Sequence, residues 1–171
     1  MRNSMSKKLA VFALITLAIV ASSRTLGAVT DTKNVTVSAT VSATAKLTVG
    51  STTVSFPNAD PDTTPSVAAS EGAISITAKS KTSTSGSVTL TILAAADLTS
   101  GSDTIAVSNV TWTASGSGFA AGTMNKTTAQ SVASFTGSGN RSGTQTYALA
   151  NSWNYATGAY TATSTYTLTA P

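Results

Sequence analysis

Residues able to do chemistry are few in this chain. Its 171 residues include no histidine and no cysteine, which excludes Ser-His-Asp triads, thiolate nucleophiles and the usual zinc sites in their common forms. A serine served by lysine is the hydrolase route that remains. None of Lys33, Lys46, Lys79, Lys81 or Lys126 has a serine three residues before it, as Ser-x-x-Lys requires. Asp60 and Asp62 are the one close pair of carboxylates, in a stretch punctuated by Pro57, Pro61 and Pro65. With Asn58 they offer oxygens of the kind calcium takes, but ordinary turn formation by Asx and Pro explains the same residues without an ion. No catalytic residue, cofactor or metal site is expected, and the chain reads as non-enzymatic.

Aromatic side chains are the other candidates. Trp112, Trp153, Tyr147, Tyr155, Tyr160 and Tyr166 could form a flat platform for sugar rings, yet the strand patterns below point most of them inward. Tyr155 and Tyr160, at the tip of an expected hairpin, are the candidates for ligand contact. The row Thr161, Thr163, Thr165, Thr167, Thr169 has the Thr-x-Thr spacing of ice-binding surfaces. One such row on a twisted sheet is also the ordinary wet face of a strand. Four Asn-x-Ser/Thr matches, at Asn34, Asn109, Asn125 and Asn140, are of the number that chance supplies in a Ser/Thr-rich chain.

The elements that would carry these residues are strands. From Val35 to Val49 the chain alternates without a miss, with Val35, Val37, Ala39, Val41, Ala43, Ala45, Leu47 and Val49 apolar and Ser, Thr or Lys between them. A period of two is that of a strand with one dry face and one wet face. The stretch is several times the usual strand length of about five or six residues, and it carries one charge and no proline. Left uncovered, it would template unwanted pairing, so either its own body or another molecule must cover it.

Further along, Ser51–Phe56 reads as a short strand with Val54 and Phe56 inward, followed by a Pro-rich loop. Ala73–Lys81 and Ser87–Ala94 read as a hairpin with Ile74 facing Ile92, Ile76 facing Leu90 and Ala78 facing Val88. Between Thr104 and Ala114 the apolar phase slips by one at Ser108-Asn109, the signature of a bulge or a short turn. Thr128–Thr136 is a weaker strand with Val132 or Phe135 inward, and Gly137–Gly143 is expected to be loop. The final third suggests a second hairpin closed by Ala156-Thr157-Gly158-Ala159, with Trp153 opposite Ala162, Leu149 opposite Tyr166 and Tyr147 opposite Leu168.

A basic start (Arg2, Lys7, Lys8), an apolar run of ordinary signal length from Leu9 to Ala21 and a small-residue site near Ala28 predict a secretory signal peptide over residues 1–28. The run is short of the roughly 20 residues a spanning helix needs, so no stable membrane insertion is expected after cleavage. The leader carries the excess charge. The whole chain is +4, but without Arg2, Lys7, Lys8 and Arg24 six cations face six carboxylates, which leaves no basic surface for nucleic acid. Residues 29–171 then make a single domain, of an all-β class: an antiparallel immunoglobulin-like β-sandwich preceded by a signal-peptide helix.

The ending Gly158-Ala159-Tyr160-Thr161-Ala162-Thr163-Ser164-Thr165-Tyr166-Thr167-Leu168-Thr169, behind a leader and an alternating first strand, resembles the last strand of bacterial surface β-sandwich proteins, the fimbrial subunits and the WxL-type cell-wall proteins. Tyr166 stands where the WxL motif has tryptophan. The resemblance implies a secreted or surface-exposed structural protein, a fimbrial or surface-layer subunit. Its partners would be further copies of itself or other surface subunits. On that reading the assembly strand is Val35, Val37, Ala39, Val41, Ala43 and Ala45, donated to the sheet of the next subunit; the simpler expectation makes the same segment the first strand of its own closed sandwich. The alternative function is an adhesin or carbohydrate-binding module on the same scaffold, using Tyr155 and Tyr160.

Overall fold

A computed structural model describes residues Gly27–Pro171. The expected signal peptide, save Gly27 and Ala28, lies outside the described residues. The described residues Gly27–Ser38 form no helix or strand and all are exposed. Ala39–Pro171 is a separate compact unit, and among its residues there is no α-helix.

Ten strands follow in order: β1 (Thr44–Val49), β2 (Ser66–Lys81), β3 (Ser87–Ala94), β4 (Leu98–Ser100), β5 (Asp103–Ile105), β6 (Val110–Ser115), β7 (Gly122–Thr123), β8 (Gln130–Thr136), β9 (Gly139–Ala150) and β10 (Ser164–Thr169). They form a five-stranded sheet in the order β1-β2-β9-β6-β7, a three-stranded sheet in the order β10-β3-β8, and the small pair β4-β5. All pairings are antiparallel. The fold is thus nearly all β. Ile74 and Ile76 of β2, Leu90 and Ile92 of β3, Trp112 of β6, Val132 of β8 and Tyr147 of β9 share one buried apolar cluster.

Local chemistry explains the details. β2 turns Val67 and Ala69 inward, then Ile74, Ile76 and Ala78. That change of phase is absorbed by an irregularity between Ala68 and Ala73, where Gly72 has φ +63°, a conformation glycine adopts without steric penalty. The expected slip at Ser108-Asn109 is a 3-10 turn over Val107–Asn109, which keeps Ile105, Val107, Val110 and Trp112 all buried. In β8 both Val132 and Ala133 are buried, because the pairing with β3 shifts between Leu90 and Thr91.

Several pairings differ from the sequence reading. β2 and β3 are not a hairpin: the chain crosses at 82–86 from the five-stranded to the three-stranded sheet. Nor do the last two long strands pair, since β9 lies between β2 and β6 while β10 lies beside β3. In β2 and β3 the inward residues are as expected and only the neighbours are different, because alternation specifies a strand's dry face without specifying what that face meets; in the expected C-terminal hairpin Tyr147 is inward as well, but Trp153 is not. Residues 139–143, expected as loop, begin β9 opposite Ser80–Ile76. Ser51–Phe56 forms no regular strand and Val54 is 40% exposed, although Gly50 N–H still bonds Ser75 O and Ser70 N–H bonds Ser55 O along β2.

Candidate functional site: an open sheet edge and the cleft beside it

β10 has one neighbour. Ser164–Thr169 pairs with Ala94–Thr89, and the preceding chain continues that ladder through Ala95 N–H to Thr163 O and the paired Thr99 and Thr161. No strand pairs with its other edge among the described residues. Exposure follows: Tyr166 and Leu168, the inward residues of β10, are only half-buried, whereas Val88, Leu90 and Ile92 of β3 are at 1% or less.

On the far bank of this edge run β1 and residues 50–56, where Leu47, Val49 and Phe56 are also half-buried. Between the banks a cleft of about 1440 Å3 reaches inward to Ile92, Tyr147 and Tyr166. Close packing normally fills such space with side chains. Its mouth lies between the 57–61 and 151–162 stretches and includes Asn58, Asp60, Trp153, Tyr155 and Tyr160. Tyr147 and Tyr166 line the cleft, and behind them Gln145 Oε1 accepts hydrogen bonds from their hydroxyls, which also touch each other.

The expected assembly strand is only partly a strand. Val35, Val37 and Val41 are 83%, 89% and 74% exposed, Ala39 and Ala43 are exposed, and pairing with β2 begins at Thr44 opposite Lys81. Ala45, in β1 opposite Ser80, is exposed too. The expectation that these residues are buried against their own body is therefore corrected: the dry face of a 15-residue alternating run continues past the last strand able to cover it.

The aromatic residues divide differently from the sequence reading. Trp112 is buried with its Nε1–H donated to Ala120 O at 2.9 Å. Trp153 is 69% exposed and donates Nε1–H to Asp62 Oδ1 at 3.0 Å. It belongs to no hairpin, so nothing turns it inward. Tyr155 and Tyr160 are half-buried at the cleft mouth, their hydroxyls donated to Ala150 O and Ala156 O. Burial and then the charge of Asp103 raise the pKa of Tyr160. Sequence alone points to Tyr155 and Tyr160 but turns Trp153 inward, because it places Trp153 in a hairpin; the turn-rich Asn151–Gly158 run is the signal against that.

Asp60 and Asp62 form a turn. Asp60 Oδ1 accepts the Asp62 N–H at 2.9 Å, and Asp60 O accepts N–H groups of Thr63 and Thr64. Among the described residues no three His, Cys, Asp or Glu side chains gather as a metal site would require. The outward threonines Thr165, Thr167 and Thr169 are exposed, with Thr89 and Thr91 opposite the last two. No protein-family model matches the chain, and no curated protein matches its sequence.

Proposed function

We propose that the two larger sheets stack as an immunoglobulin-like sandwich with one strand position open, and that the protein is an exported, non-enzymatic subunit of a surface fibre. In that frame β2, β9 and β6 follow the order of B, E and D strands, and β3 and β10 that of C and F. The open edge of β10 is the place of the G strand. A second copy supplies it with Val35–Ala43, main-chain hydrogen bonds joining β10 while the valines and alanines enter the cleft.

The observation that carries this reading is the coincidence of an uncovered apolar strand sequence with an uncovered strand edge. Val35–Ala43 and Thr161–Thr169 are each nine residues long, about 30 Å of strand. Folding back onto its own β10 would require a tight reversal near Thr44. No Gly, Pro, Asn or Asp occurs between Val35 and Val49, so of the residues that favour tight turns only Ser42, a weak turn former, stands near Thr44. Entry from the cleft mouth makes the donated strand antiparallel to β10.

Purified protein starting at Ala28 is expected to form denaturant-resistant polymers, and protein starting at Lys46 to remain monomeric. Size-exclusion chromatography and negative-stain images check this, and a stable full-length monomer at high concentration rejects it. Exposed Trp153 beside Tyr155 and Tyr160 supports a second reading, carbohydrate recognition at the mouth. It expects Trp153→Ala to lose retention on glycan arrays while keeping its circular dichroism, and no array signal for the unsubstituted protein would end it.

A further inference from the structure

Charge is sorted along the strands of the unit Ala39–Pro171. At the end where β1 starts and β2 finishes stand Lys46, Lys79, Lys81 and Arg141, and no carboxylate side chain. Lys46 and Lys79 are register partners on adjacent strands, an arrangement of like charges that costs stability when nothing neutralises it. None of these four makes an ion pair among the described residues. Toward the other end lie Asp60, Asp62, Glu71, Asp97 and Asp103, with Lys126 the single cation.

Some of those carboxylates are committed. Asp97 bonds Lys126 and the Val107 N–H, and Glu71 accepts the Ser55 N–H. Asp60, Asp62 and Asp103 make no ion pair and are exposed. Asp60 lines the cleft mouth, Asp62 holds Trp153 there, and Asp103 acts on Tyr160.

We propose that copies of this chain join head to tail through charge, with Lys46, Lys79 and Lys81 of one copy against Asp60, Asp62 and Asp103 of the next. The inference rests on the strand-donation reading. Residues Val41–Ala43 lead into β1 beside Lys81 and Thr82, so a segment entering another copy's cleft mouth draws the basic end against the acidic rim. Opposite charge speeds that encounter and rejects the reversed docking, in which like ends would meet. A contact between two different surfaces does not close on itself, so it gives an open filament rather than a dimer.

The test uses the chain from Ala28 and follows polymer growth by light scattering at low salt and at 0.5 M NaCl. Lys79→Glu/Lys81→Glu and Asp62→Lys/Asp103→Lys are each expected to slow growth about tenfold or more at low salt. Mixed together, the two variants should recover growth as an alternating polymer, since every junction then joins opposite charges, and one chain carrying all four changes should recover it by itself. High salt should bring all of them together. Circular dichroism and urea midpoints verify that each variant is folded. Growth of either two-site variant at the unsubstituted rate in low salt, or no recovery in the four-site chain, overturns the charged joint while leaving strand donation standing. An unsubstituted chain that never polymerises removes both.

Discussion

Gln145, Tyr147 and Tyr166 concentrate most of the polar chemistry of the interior. Gln145 is 0% exposed and its Nε2 has no partner among the described groups, a situation that costs about 1–3 kcal/mol. Burial raises the pKa of both phenols, and for Tyr147 the neighbouring Tyr166 adds to the rise. A phenol whose folded pKa lies above its unfolded value contributes stability that is complete below about pH 10 and is lost as pH climbs toward the folded value. The urea midpoint is therefore expected to stay level through neutral pH and to fall above about pH 10, and Tyr147→Phe should flatten that fall. An equal alkaline loss in Tyr147→Phe would assign it elsewhere. Alternation placed both tyrosines inward from sequence. Gln145 shares their phase but was unreadable as core, since a glutamine at an inward position only makes sense once its partners across the core are known.

At the scale of elements, neighbours in sequence are not neighbours in the sheet. Thr77 faces Ser142 in the five-stranded sheet, their hydroxyls 3.3 Å apart, while Thr89 belongs to the three-stranded sheet opposite Thr169. A hairpin of β2 with β3 would have paired Thr77 with Thr89. Cysteines at 77 and 142 are thus expected to close a disulfide on mild oxidation with stability kept, and cysteines at 77 and 89 to stay reduced; thiol titration distinguishes the two. A bridge formed at 77 and 89 would contradict the topology. The same lesson holds for β9 and β10. Their matched amphipathic faces brought Tyr147 and Tyr166 together across the core, hydroxyl to hydroxyl, where the sequence suggested they lay side by side in one sheet.

For the molecule as a whole, strand donation as proposed would have the unit Ala39–Pro171 complete the open edge of β10 by association. Each donated segment binds the folded form and not the unfolded one, so it adds stability by mass action. Polymers are accordingly expected to need more denaturant to dissociate than the Lys46-start fragment needs to unfold, as tryptophan fluorescence in guanidinium would record; equal midpoints would mean that the donated strand contributes nothing. What the sequence by itself determined was the all-β class and the inward set Ile74, Ile76, Ala78, Val88, Leu90, Ile92 and Tyr147, because period two is a local property visible within a few residues. Which strands pair, that Trp153 faces water, that charge divides between the two ends of the strands and that β10 has no second neighbour among the described residues were decided only in the tertiary structure. Those features join residues far apart in the chain, and the entropy of closing a loop rises so slowly with its length that nearness in sequence confers little advantage over a better fit across the core.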